Sequence, residues 1–191
     1  MLPAPDRDRL LDLVAATVHR GTVTLASGAR SDFYLDGRLV TLTPEGSHLL
    51  ARATLELARR LGATALAGPT TGACPLVSAA GALAWERGLS LALAYVRAQA
   101  KGHGLQKAVE GPPLTRADRV LVLDDVLTSG GSLLAAIDRL RDATGATVLG
   151  ALVIVDRQAG GRAALAGRGV DLHALFTREE VEGRMNRAAG G

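Results

Sequence analysis

Residues 120–132 read VLVLDDVLTSGGS, with two adjacent carboxylates, Asp124 and Asp125, directly in front of a Thr/Ser/Gly loop. A Gly-rich loop leading from a strand into a helix presents unpaired backbone N–H groups and the positive end of a helix dipole, a combination that binds phosphate. Two carboxylates beside it would repel a simple phosphate. They suit a ligand that also carries hydroxyl groups or a divalent cation, so the pattern points to a sugar phosphate accompanied by magnesium.

Two further segments carry chemistry. GPTTG, 68–72, follows the apolar run ATALAG, and its small side chains let backbone N–H groups approach an anion before Cys74-Pro75 opens a helix. RAQAKGHGLQKAVEGPP, 97–113, is polar, Gly-rich and longer than an ordinary connection. The chain has 20 Arg but only two Lys, Lys101 and Lys107, and both fall in this segment. It reads as a lid whose Arg97, Lys101 and His103 close on an anionic substrate, excluding water and bringing positive charge to where negative charge develops.

The elements that must position these groups follow from periodicity. A helix is expected over 6–19, short strands and a turn at Ser27-Gly28 within 21–40, and a helix over 44–62 that starts at Pro-Glu and stops at Gly62. Apolar runs at 63–68, 90–96, 119–125 and 147–155 then alternate with helical stretches at 74–88 and 131–145. That alternation is the mark of a parallel α/β sheet, in which ligands bind at the carboxyl ends of strands. Both small-residue loops leave such ends.

Composition narrows the function. The 191 residues, 48% hydrophobic and 21% charged, suit one domain with a sizeable core, packed mainly by Leu, Val and Ala because aromatics make up 3%. The net charge is +3, but the basic residues are scattered without interleaved aromatics, which favours a small anionic ligand over nucleic acid. No run is long enough to span a membrane and the N-terminus lacks the pattern of a signal peptide, so a cytoplasmic protein is expected. Cys74 is alone and has no metal-binding partner motif; it reads as a small packed residue, and His19, His48 and His173 as scaffold or surface. Neither GxxxxGK[ST] nor GxGxxG between a strand and a helix occurs, which removes support for kinase and dinucleotide-binding readings. The acidic pair of a phosphorylated signalling domain would sit near the start of a small domain, not at 124.

VLVLDDVLTSGGS resembles the phosphoribosyl-pyrophosphate (PRPP) motif of type I phosphoribosyltransferases. Four other stretches are similar to parts of the orotate phosphoribosyltransferases in particular: TLASGARSDFYLDGRL to the hood, YVRAQAKGHG to the catalytic loop, VIVDRQAGG to a strand end that supplies an arginine for the base, and LHALFTREEV to the last strand and helix. The resemblance runs collinearly over about 20–182. It implies a type I phosphoribosyltransferase fold: an α/β domain over 1–191 with a central, mostly parallel sheet flanked by helices. A small hood of about 1–45 plus 171–191 would cover a core of about 46–170.

By the same resemblance Asp124 and Asp125 hold the ribose hydroxyls of PRPP, and Val126, Leu127, Thr128, Ser129, Gly130, Gly131 and Ser132 wrap its 5′-phosphate. Thr70, Thr71 and Gly72 form the pyrophosphate loop. Arg97, Lys101 and His103 belong to a catalytic loop that reaches the partner subunit's site, which implies a homodimer. Phe33, Tyr34, Thr128 and Arg157 bind orotate, whose carboxylate suits a planar guanidinium. Mg²⁺ is the implied cofactor, held by PRPP and water with no direct protein ligand. The implied activity is Mg²⁺-dependent transfer of ribose 5-phosphate from PRPP to orotate in pyrimidine biosynthesis. This chain has Ala26, Thr71 and Ala98 where some relatives are basic, Gly102 where many are acidic, and Asp32 in place of a usual proline. A purine phosphoribosyltransferase would share the PRPP loop without needing Arg157 or the hood, and a non-enzymatic PRPP-binding regulator would keep that loop while losing Lys101 and His103.

Overall fold

The structure is a computed structural model that describes residues 2–24, 30–98 and 108–189. Its chain order is α1 (Ala4–Ala15), β1 (Val18–Thr24), β2 (Arg30–Leu35), α2 (Arg38–Thr41), α3 (Pro44–Leu61), β3 (Ala65–Pro69), α4 (Cys74–Glu86), β4 (Ala92–Val96), β5 (Val109–Glu110), β6 (Arg119–Leu127), α5 (Gly131–Thr144), β7 (Thr147–Asp156), α6 (Gly161–Ala166), β8 (Leu172–Thr177) and α7 (Arg178–Ala189).

Six strands form the main sheet in the order β5-β4-β3-β6-β7-β8. All neighbours are parallel except the β4–β5 pair. Strand β6 lies inside this sheet, and its apolar run serves both faces. Leu121 and Leu123 join the core with Leu50, Leu55, Leu76 and Val77 of α3 and α4, while Val120 and Val122 pack with Leu133, Ile137 and Leu140 of α5. Burial on both sides is why 119–125 reads as a continuous rather than alternating apolar run. Truncating one of these leucines to alanine costs about 2–5 kcal/mol.

Helix α3 shows how local sequence sets the ends of an element. Thr43 accepts a hydrogen bond from the Gly46 N–H (3.1 Å), Pro44 occupies the first turn, and Gly62 closes the helix in a left-handed conformation (φ 66°).

Strands β1 and β2 form a separate antiparallel hairpin, with His19 opposite Tyr34 and Arg20 opposite Phe33. The predicted turn at Ser27-Gly28 lies outside the described residues. The first helix ends at Ala15 rather than 19, because the β-branched and polar run from Thr17 takes up the hairpin. Three short elements, α2, β5 and α6, were not expected from periodicity; β5 belongs to the long 97–113 segment, which re-enters the sheet edge. Strand β8, within the 171–191 segment assigned to the hood, pairs in parallel with β7 and completes the main sheet. Both elements of that segment touch α1: Arg7 donates to the Leu175 carbonyl of β8 (3.2 Å) and lies 4.8 Å from the Phe176 ring, while from α7 Arg184 bridges to Asp8 (2.7 Å) and Asp12 (3.1 Å) and Glu180 pairs with Arg7. Among the described residues no helix is long and apolar enough to cross a membrane.

Candidate active site

The carboxyl ends of β3, β6 and β7 open on one cleft of about 420 Å³, lined by Tyr34, Leu35, Asp36, Arg38, Thr71, Gly72, Asp125, Val126, Thr128 and Arg157. Three expected groups therefore meet here: Asp125 of the acidic pair, the GPTTG loop and the arginine after β7, while Asp124 faces inward among Leu50, Thr54 and Leu76. A cavity of about 370 Å³ elsewhere, walled by Leu10, Leu57, Leu152 and Phe176 under α1 and β8, contains none of the expected residues.

The phosphate end is built from backbone. Strand β6 ends at Leu127, Thr128 and Ser129 are exposed, and Gly130 takes φ 84° to start α5 at Gly131. A side chain at 130 would be strained and would meet the Leu165 methyl at 2.9 Å, so glycine is required. The loop is held against β7 and α6: Arg157 N–H donates to the Leu127 carbonyl (2.9 Å) and Gly161 N–H to the Thr128 carbonyl (3.0 Å). What remains for a ligand is the first turn of α5 with the hydroxyls of Thr128, Ser129 and Ser132 around it, as an anion site requires.

The two carboxylates differ in setting. Asp124 is 8% exposed, and its Oδ1 accepts the Asp125 N–H (3.0 Å). Burial, reinforced by the charge of Asp125, pushes its carboxyl up to about 7. Asp125 is half-buried on the cleft, and its Oδ1 accepts the Val126 N–H (2.8 Å). Two glycines close around it: a Cβ at Gly37 would lie 2.8 Å from Asp125 Oδ2, and one at Gly72 would lie 2.9 Å from Oδ1. Sequence reasoning missed Gly37, although the Asp36-Gly37 pair is a turn signal that could have flagged it.

Thr70 and Thr71 are exposed, the Thr70–Thr71 peptide bond is cis, and the Thr70 N–H donates to the Val96 carbonyl (3.0 Å), which ties the loop to β4. Arg97, next along the chain, pairs with Glu110 of β5 (3.2 Å). It is not among the described residues lining the cleft. Lys101 and His103 lie outside the described residues. Burial pushes the Cys74 thiol up, which disfavours the thiolate and agrees with a packing role.

At the base end Arg157 Nη2 donates to the Phe33 carbonyl (2.7 Å), and its guanidinium lies 5.6 Å from the centre of the Phe33 ring. Asp156 instead pairs with Arg162 (3.2 Å) and accepts the Gln158 N–H. Arg178, unremarked in the sequence, lies 5.0 Å from the same ring. Phe33 is buried while Tyr34 is 37% exposed on the cleft, so the hairpin is pinned by two arginines from β7 and β8 ends.

Among the described residues no three His, Cys, Asp or Glu side chains gather as a metal cage. A carboxylate pair alone fits magnesium that keeps substrate oxygens and water in its shell.

A parallel sheet with an acidic pair and a glycine-started helix at its switch point is the architecture of the type I phosphoribosyltransferases, and the family model for the phosphoribosyl transferase domain matches residues 45–167. An orotate phosphoribosyltransferase of Thermosynechococcus vestitus is 45% identical over 95% of this chain and 95% of its own length. One of Streptomyces avermitilis is 42% identical over 87% of this chain and 90% of its own. The crystal structure of the Mycobacterium tuberculosis orotate phosphoribosyltransferase in complex with PRPP superposes with TM-score 0.76 at 30% identity, covering 93% of this chain and 99% of that one. An adenine phosphoribosyltransferase of Leishmania donovani, 15% identical with TM-score 0.65, shares the fold alone. The chain belongs to the orotate phosphoribosyltransferase family.

Proposed function

We propose that this chain transfers ribose 5-phosphate from PRPP to orotate, giving orotidine 5′-monophosphate and pyrophosphate. The observation that carries this reading is the single cleft into which Asp125, Thr128, the Thr71–Gly72 loop and Arg157 all open. The α5 N-terminus, with residues 126–132, binds the 5′-phosphate. Asp124 and Asp125 accept the ribose hydroxyls, Thr70, Thr71 and Gly72 face the pyrophosphate, and Phe33, Tyr34, Thr128 and Arg157 bind the base. Among these, Arg157 grips the orotate carboxylate.

In the reaction the bond from the anomeric carbon to the pyrophosphate oxygen breaks, and its electron pair leaves with pyrophosphate. A ring nitrogen of orotate, having lost its proton, bonds to that carbon from the opposite face. No covalent enzyme intermediate is needed. The chain's part is to hold donor and acceptor in line and to surround the developing negative charge with backbone donors and with Arg97, Lys101 and His103 of the catalytic loop. Asp124 and Asp125 are the side chains near which Mg²⁺ brought in by PRPP would sit, and when bound it would add charge neutralisation for the leaving group. Replacing Lys101 with alanine is expected to lower kcat by about 100-fold or more with the fold intact; turnover near wild type would remove the catalytic-loop assignment.

A homodimer with the catalytic loop shared across subunits completes the proposal. An apolar face beside the cleft supports it: Leu39 and Leu42 are 60% and 68% exposed and continue into a groove lined by Pro44, Pro75 and Ala79. The reading also carries one catalytic domain over the whole chain, in the cytoplasm.

The test is an acceptor panel: purified protein with PRPP, Mg²⁺ and orotate, uracil, adenine, hypoxanthine or guanine, following base loss and pyrophosphate release. Consumption of orotate alone is expected. Consumption of a purine would keep the PRPP site and overturn the base pocket, and PRPP binding without turnover would favour a regulator.

A further inference from the structure

We propose that Arg38, on the first turn of α2, is a PRPP-binding residue that leaves Asp36 to grip the diphosphate when the substrate enters. This rests on the PRPP reading above and adds a residue to that site. Among the described cleft-lining residues the cations are Arg38 and Arg157. Arg157 is committed to the base end through the Phe33 carbonyl and ring. Arg38 lines the cleft together with Thr71, Gly72 and Asp125, and interacts electrostatically with both Tyr34 and Asp125. The GPTTG loop offers Thr70 and Thr71 and no basic side chain of its own. Among the described residues that line the cleft, a diphosphate there otherwise meets backbone and the Thr71 hydroxyl, with no second cation.

The present partner of Arg38 is suited to release it. Its Nε and Nη2 meet Asp36 Oδ1 and Oδ2 at 2.8 and 2.9 Å, but the side chain is 57% exposed and the pair spans only two residues. Such pairs contribute little in water. Asp36 does not depend on the guanidinium, because its Oδ1 also accepts the Arg38 backbone N–H at 3.0 Å. A diphosphate presents several charges and paired oxygens to the same planar fork, and so outcompetes one carboxylate. Gly37 permits the arrangement: it brings the Asp36–Arg38 turn against Asp125 where a Cβ would collide. Arg38 is thus delivered beside the ribose carboxylates by the chain that carries Tyr34 of the base pocket.

The test compares wild type, Arg38→Ala, Arg38→Lys and Asp36→Asn, using the PRPP Kd by titration calorimetry with Mg²⁺, steady-state KM for PRPP and for orotate, and Tm. Arg38→Ala is expected to raise the PRPP Kd and KM by about 10- to 100-fold, as loss of a charge-assisted contact does, with orotate KM and Tm close to wild type. Arg38→Lys should recover part of the loss. Asp36→Asn frees the guanidinium and should not weaken PRPP. Unchanged PRPP binding in Arg38→Ala, or a loss in Asp36→Asn matching that of Arg38→Ala, would overturn the proposal by showing a pair that acts on the turn alone. Wild-type protein that binds PRPP without using orotate would count against the acceptor, leaving the Kd comparison to decide Arg38. Wild-type protein that does not bind PRPP would overturn both.

Discussion

The phosphate end and the base end of the cleft are made in different ways. The phosphate end is backbone: a strand, a left-handed glycine and a helix start, clamped by the Arg157 and Gly161 N–H groups onto the carbonyls of Leu127 and Thr128. The base end is side chains from distant segments: Phe33 of a small hairpin pinned by Arg157 and Arg178 from the ends of β7 and β8. One end is therefore preformed by the main sheet. The other depends on how the hairpin sits on that sheet, so substitutions there should alter base affinity before they alter PRPP binding.

The largest effect that would sharpen this contrast is expected from Gly37→Val, where the hairpin's exit meets the acidic pair. Its Cβ would fall 2.8 Å from both Cβ and Oδ2 of Asp125. Displacing the carboxylate by about 1 Å should lower kcat/KM about 100-fold. Near-normal activity would mean that Asp125 does not work from this position.

Asp124→Asn tests the rigid end through stability. The folded protein holds a proton on Asp124 up to about pH 7, because burial and Asp125 disfavour its charge. The unfolded chain loses that proton near pH 4. The folded state thus binds more protons in this window, and Asp124 makes stability fall as pH rises from about 4 to 7 and keeps it lower above. The uncharged isostere should raise Tm by about a few degrees at pH 8 while impairing turnover, with the gain vanishing near pH 4. A lower Tm at pH 8 would contradict the burial cost.

The smallest effect is expected from Arg178→Ala. The side chain also pairs with Glu182 (2.7 Å), does not line the cleft itself, and meets the base pocket through the Phe33 ring. Losing one cation–π contact should raise orotate KM about 2- to 5-fold and leave PRPP unaffected. An equal loss for both substrates would show that the two ends move together.

The same contrast explains what the sequence made legible. VLVLDDVLTSGGS is contiguous, so strand, acidic pair and helix start could be read together, and the parallel sheet followed from apolar runs buried on both faces. Arg157 was legible only through the resemblance of VIVDRQAGG to the family's base-binding strand end, and Arg178 was not, because nothing local links it to Phe33. Elements as short as β5, with two residues, or α2, with four, carry too little periodicity to be seen. Gly37 escaped notice because its necessity comes from a carboxylate far away in sequence. Strand β8 was legible only through the resemblance of LHALFTREEV to the family's last strand and helix, and its pairing with β7 is not written in either segment alone.

The most direct measurement is the separate affinity of Arg157→Ala for the two substrates, by PRPP titration and by orotate steady-state kinetics. An orotate KM raised about tenfold or more, with PRPP Kd within about twofold of wild type, is the predicted result for a charge-assisted contact confined to the base end. Weakened PRPP with unchanged orotate would contradict the division of the cleft.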